Sequence, residues 1–170
     1  TGHREYTANW ELSTGKVIVH HYEQGTTTPV AQDEEIVSIV GQTYTVTNLI
    51  SDTNKIFVGT EEKEETREYL DPNKYEYVTV ERNEENTTIG TTEEEIANGT
   101  VSGTLQAEVQ EITYYYNVNK YTITGEVVGG NGTISDITET VEYGNSSTKE
   151  IRFTPNNGYR VEKIMLYTGE

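Results

Sequence analysis

The chain has 170 residues, with 29 Asp and Glu against 12 Lys and Arg, a formal net charge of −17. So acidic a surface repels phosphate backbones and anionic lipid, which argues against nucleic-acid and membrane-surface partners and favours a monomer. Cysteine is absent, so no disulfide framework or thiolate zinc site is available, a state that suits exported and cytosolic proteins alike.

No run of about 18 apolar residues and no basic-then-apolar leader occurs, so these residues contain neither a membrane span nor a signal peptide. The 13 tyrosines, with many Thr and Val, favour strands, because a Tyr ring packs on a pleated surface while its hydroxyl stays wet.

Residues 1–15 show little period. Trp10 and Leu12 alternate as an edge strand would, and we read 1–14 as a linker, or the end of an upstream module, that packs partly through Trp10. Residues 16–23 (KVIVHHYE) form the first predicted strand, with Val17, Val19 and His21 on one face and Ile18, His20 and Tyr22 on the other. Gln24-Gly25-Thr26 breaks it. Further strands are predicted at 35–40 (EIVSIV) and, after Gly41-Gln42, at 43–48 (TYTVTN).

Residues 51–72 are less regular. Ile56-Phe57-Val58 reads as a short strand. The run 61–69 (EEKEETREY) has helix formers but no apolar stripe, so it is expected to be an acidic loop or a strand extension. Residues 74–82 (KYEYVTVER) alternate cleanly as a strand. Residues 83–98 read as an acidic loop or long hairpin connection, with Thr92-Glu93-Glu94-Glu95 able to open one helical turn, and Asn98-Gly99 is a strong turn pair.

The centre of the chain is 109–125 (VQEITYYYNVNKYTITG). Its one-in-two alternation, with Val109, Ile112, Tyr114, Tyr116 and Val118 grouped together, breaks once at Asn119-Lys120. It reads as the last strand of one module, a two-residue joint and the first strand of the next. The second module then takes strands at 121–128, 133–135, 139–143, 149–154 and 159–167, punctuated by Gly129-Gly130-Asn131-Gly132, Gly144-Asn145 and Pro155-Asn156-Asn157-Gly158. The closing Thr168-Gly169-Glu170 is turn-like, so this module is expected to be cut short or only just complete.

Residues 16–22 (KVIVHHY), 40–45 (VGQTYT), 98–104 (NGTVSGT) and 112–116 (ITYYY) resemble, in order and character, the mucin-binding protein (MucBP) repeat. That repeat runs as a KVxVxY strand, a VGxxYT turn-strand, an SGT element and a VTYxY strand. The difference is an acidic insertion at 49–97. The second module, with YTI, GGNGTI, VEYG and FTPNNGY, resembles small β repeats of Gram-positive surface proteins. The resemblance implies an extracellular, cell-wall or cell-surface adhesin built as a string of modules, binding host mucin or other glycoprotein glycans.

Residues that could carry chemistry are few. There is no GxSxG, P-loop or HExxH motif. His20 and His21 are strand neighbours that face opposite ways, so they cannot share one metal; one is expected near a core and the other exposed. Calcium has many carboxylates to choose from but no DxDxDG spacing. The Asn-x-Thr/Ser sequons at Asn86, Asn98, Asn131 and Asn145 are read as turn chemistry. An internal isopeptide bond, common in Gram-positive surface domains, would need a Lys, an Asn and a protonated carboxyl in a low-dielectric core; Lys16 with Asn117 or Asn119 are the candidates. Tyr75, Tyr77 and Tyr115 are the candidate ligand contacts, since aromatic rings stack on the C–H faces of sugars.

The reading is an all-β protein of two tandem small β modules joined end to end, 15–119 and 120–170, the first of which could be β-grasp-like. It is expected to be a non-enzymatic adhesin fragment without cofactor; the alternative is a stalk or spacer with no ligand of its own. An exposed aromatic cluster ringed by polar groups would favour binding, and wholly buried tyrosines the stalk.

Overall fold

The computed structural model describes residues 2–51, 54–63, 67–84, 87–89 and 91–167. It is mostly β, with 42% strand against 4% helix, and it divides into two compact units, Thr1–Val118 and Asn119–Glu170.

The first unit opens with β1 (Thr14–Glu23), β2 (Glu34–Ile39) and β3 (Thr43–Thr47). The short β4 (Ile56–Val58) and β5 (Glu61–Glu62) follow, then the long β6 (Tyr75–Glu84), which returns on itself as β7 (Thr87–Ile89). A six-residue helix α1 (Glu93–Asn98) leads into β8 (Thr100–Thr104) and β9 (Val109–Val118). Five strands form one sheet in the order β2-β1-β9-β6-β7, and four form another in the order β5-β4-β3-β8. All pairings are antiparallel except that of β1 with β9, which runs parallel at the centre of the larger sheet. A parallel pair needs a long crossover, and residues 24–108 provide it.

Both sheets feed one core. Val17, Val19, Ile36, Val80, Ile112, Tyr114 and Tyr116 come from the larger sheet, and Tyr44, Val46, Ile56 and Val101 from the smaller. Tyr114 and Tyr116 tie the two together through their hydroxyls: Tyr114 donates to the Val46 carbonyl (2.9 Å), and Tyr116 accepts from the Leu49 N–H (3.0 Å). Gly103 is required by this packing, because a Cβ there would stand 2.5 Å from the Tyr44 hydroxyl oxygen.

The helix is set by local chemistry. Thr92 and Glu95 form a capping box, each side chain bonding the other's backbone N–H (3.1 and 2.9 Å). Gly99 ends the helix with φ +58°. Asn98-Gly99 is therefore a helix stop rather than a hairpin turn, the difference being the capped turn that precedes it. Arg82 bonds Glu95 (3.1 Å) and the Tyr77 hydroxyl donates to the Ile96 carbonyl (2.8 Å), docking α1 on β6.

The second unit contains β10 (Lys120–Ile123), β11 (Gly132–Ile134), β12 (Glu139–Glu142) and β13 (Phe153–Pro155). They make two antiparallel pairs, β10 with β12 and β11 with β13. Gly129 and Gly130 turn with φ +89° and +68°. Gly125 lets Ile134 and Ile137 close in, with a Cβ there only 2.6 Å from Ile134 Cδ1. Glu139 clips the following loop, accepting from the Ser147 and Thr148 hydroxyls (both 2.6 Å).

Several sequence expectations are corrected. Residues 2–13 contain no strand, and Trp10 is 93% exposed, so it does not pack. Gln110, not Val109, joins Ile112, Tyr114 and Tyr116 on the buried face of β9; parity along the strand requires it. The strand from Tyr121 stops at Ile123. Residues 159–167 alternate but form no strand, for lack of a neighbouring ladder. Residues 64–66 of the acidic run, Asn86 and the closing Thr168-Gly169-Glu170 lie outside the described residues.

Candidate functional site

Two places concentrate polar chemistry. The first is inside. His21 follows Val17 and Val19 into the core of the first unit and is fully buried. Its Nε2 lies 2.9 Å from Glu34 Oε2 and its Nδ1 3.1 Å from the Tyr116 hydroxyl. The ionised Glu34 can only accept, so Nε2 carries a proton, and burial disfavours a second one on the ring, which leaves Nδ1 to accept from the Tyr116 hydroxyl. The imidazole is then neutral, with its own proton on Nε2 pointing at Glu34.

Arg67 completes the set. Its Nε and Nη2 donate to the two Glu34 oxygens, each at 2.7 Å, and Nη2 also bonds the Thr47 carbonyl (2.9 Å). Its Nη1 reaches Thr47 Oγ1 and the Lys55 carbonyl (3.3 and 3.4 Å). Burial pushes the pKa of His21 down, and the bond from Glu34 only partly offsets it. Burial alone would raise that of Glu34, but the bonds from Arg67 and His21 outweigh it and bring it to about 2. A cleft of about 590 Å3 opens beside this pair, lined by Asp33, Glu35, Lys63 and Glu68 with Leu49 behind them. With its nitrogens spent on Glu34, Thr47 and Lys55, Arg67 holds the fold together and offers the cleft little.

The second place is the outer face of the larger sheet. Parallel pairing sets Tyr22 opposite Tyr115 and His20 opposite Thr113; β6 adds Thr79 opposite Tyr115 and Glu81 opposite Thr113. His20 stacks on Tyr22 with ring centroids 5.5 Å apart and planes within 13°. The Tyr115 hydroxyl donates to Glu81 (3.3 Å), and Asp33 holds His20 Nδ1 at 3.0 Å. Burial and then the Glu81 charge raise the pKa of Tyr115. His20, Tyr22 and Tyr115 are half-buried. Part of each ring thus remains accessible on the outer face, an arrangement that can pack on a ligand.

Of the three tyrosines singled out from sequence as ligand contacts, Tyr115 alone lies on this face. Tyr75 and Tyr77 point inward and pack against the core. Tyr77 meets the rings of Tyr114 and Tyr116 edge-on at 6.2 and 6.3 Å, its hydroxyl is committed to α1, and burial lifts its pKa to about 12. Lys74 Nζ covers the Tyr75 ring, 4.9 Å from its centroid. Both are partly buried against the core, on the opposite face of the sheet from Tyr115.

Lys16 and Asn117 are not brought together. Lys16 stands opposite Val109, which puts Asn117 at the far end of the same strand, about 26 Å along it at the usual rise per residue. Lys16, itself partly exposed, pairs with Glu35 of the neighbouring β2, and Asn117 is exposed. Asn119 belongs to the second unit, its carbonyl accepting from the Tyr143 N–H (2.8 Å). Among the described residues, no group of three or more His, Asp or Glu is placed to hold a metal, and no helix is long and apolar enough to cross a membrane.

Sequence reasoning missed Tyr22, Glu34 and Arg67. Tyr22 could have been found, since it shares its strand face with His20. Arg67 could not, because it sits in a run without periodicity. No family model, no curated protein and no solved structure matches the chain, so a functional reading rests on its own residues.

Proposed function

We propose that this chain is a non-enzymatic fragment of a bacterial cell-surface adhesin that binds host glycans, mucin glycans among them, on the outer face of its five-stranded sheet. One observation carries the reading: Tyr22 and Tyr115 stand side by side on neighbouring strands, with His20 stacked on the first and carboxylates at the margin. Ring faces held this way match the C–H faces of a pyranose, and Glu81, Asp33 and Thr79 supply hydrogen-bonding groups for its hydroxyls. The MucBP-like motifs support the same reading and imply an extracellular location.

A glycan array probed with the whole chain tests it. Binding that is lost in Tyr22→Ala/Tyr115→Ala, with folding retained by circular dichroism, is the expected outcome. The spacer reading is favoured by the full burial of Tyr44, Tyr114 and Tyr116, and a wild-type chain silent on the array would leave it standing.

A further inference from the structure

Charge around the aromatic face narrows its ligand, and this inference rests on the glycan-binding reading above. Sheet register lays out the surroundings of Tyr22 and Tyr115. On one side, the row through Ile18 carries Glu35 and Glu111. In the next row, His20 and Thr113 are flanked by Asp33 and Glu81. On the other side, Asn117 stands opposite Glu76. Glu35, Asp33, Glu81, Glu111 and Glu76 are all exposed.

Positive charge on this face is scarce. On β1, β6, β9 and β2 the basic residues are Lys16, Arg82 and the two histidines. Lys16 is paired with Glu35, Arg82 with Glu95 of the helix, and His21 is buried on the other side. Five carboxylates thus ring two tyrosines; among the described residues the lysines beside them are Lys16, paired with Glu35, and Lys63, whose Nζ donates to the Glu35 carbonyl (2.6 Å).

We propose that the face selects uncharged glycans and rejects those ending in sialic acid or sulfate. An added carboxylate or sulfate would enter a field of like charge in which the neighbouring lysines, Lys16 and Lys63, are already engaged by Glu35. Like-charge juxtaposition of this kind excludes wrong partners more effectively than attraction selects right ones. Glu76 stands one row from Tyr115, and Glu111 two rows, about 7 and 13 Å along the strand. Both distances lie well inside the roughly 30 Å Debye length at about 0.01 M salt and outside the roughly 3 Å at 1 M. The discrimination is therefore strong in dilute buffer and fades with salt.

The experiment presents the whole chain with neutral mucin-type oligosaccharides, each beside its sialylated and sulfated counterpart, in about 0.01 M and 1 M salt. The expected result at low salt is affinity at least about tenfold higher for the neutral member, with the ratio falling towards one at high salt. Glu76→Gln/Glu111→Gln should narrow the low-salt gap. Equal or tighter binding of the sialylated member at low salt, with binding still lost in Tyr22→Ala/Tyr115→Ala, overturns the charge selection and leaves the face as a glycan site. Binding of neither member, or binding untouched by Tyr22→Ala/Tyr115→Ala, overturns the glycan reading itself and the selection with it.

Discussion

Arg67 and Glu34 form a bidentate ion pair, two N–H···O bonds of 2.7 Å, across 33 residues of sequence. The arginine side chain is 5% exposed and the glutamate 17%. The pair joins the start of β2 to the segment between the smaller sheet and β6, and His21 links both to the centre of the larger sheet.

Removing one partner leaves the other charge buried and unpaired. Arg67→Ala is therefore expected to cost about 3 kcal/mol or more, read as a lower urea midpoint with an unchanged slope. A loss below about 1 kcal/mol, the range of surface ion pairs, would show that the pair is solvated.

Acid should act in two stages. His21 has a folded pKa below its ordinary 6.5, so the unfolded chain binds its proton first. The stability that the neutral imidazole confers is complete above pH 6.5 and erodes as pH falls below it. Glu34 has a folded pKa of about 2 against an ordinary 4.5. Its contribution is complete above pH 4.5 and disappears as pH falls towards 2. Urea unfolding should show declining stability from pH 7 to 5, then a further decline below 4.5. His21→Asn should flatten the first slope and keep the second; a first slope unchanged by the substitution would assign it elsewhere.

Neighbouring tyrosines should respond differently to loss of the hydroxyl. Tyr116→Phe strands the buried Leu49 N–H and His21 Nδ1 and is expected to cost about 1–3 kcal/mol. Tyr115→Phe removes one bond to Glu81 on an open face and should change stability by less than about 0.5 kcal/mol. Thermal melts of the two variants give the comparison, and equal shifts would contradict the assignment of faces on β9.

Gly103→Ala is expected to destabilise the first unit by about 1–3 kcal/mol, because the added methyl must displace the buried Tyr44 ring. Since φ at Gly103 is not in the left-handed region, the cost is steric. Tyr44→Leu should recover part of it in the double variant.

Much of the strand content was legible because half-buried strands alternate. The faces of β1 follow from KVIVHHYE, and His20 and His21 divide between outside and inside as the period requires. Period says which way a side chain points but not which strand lies beside it. The parallel pairing of β1 with β9, which places Tyr22 next to Tyr115, has no local signal. Tyr75 and Tyr77 were legible as sharing a face, but the choice of face was not, because α1 was read only as one optional turn. Arg67 was hidden for a different reason: its burial depends on Glu34 and Thr47, both far away in sequence. Residues 159–167 show the converse, an alternating stretch that remains irregular without a partner ladder.

Backbone amide shifts in an NMR titration with a neutral mucin-type oligosaccharide test the central claim most directly. Perturbations centred on His20, Tyr22, Thr113 and Tyr115 are expected, with the interior around His21 and Glu34 unmoved. Shifts centred instead on Leu49 and Lys63, beside the cleft, or no shifts at all, would contradict it.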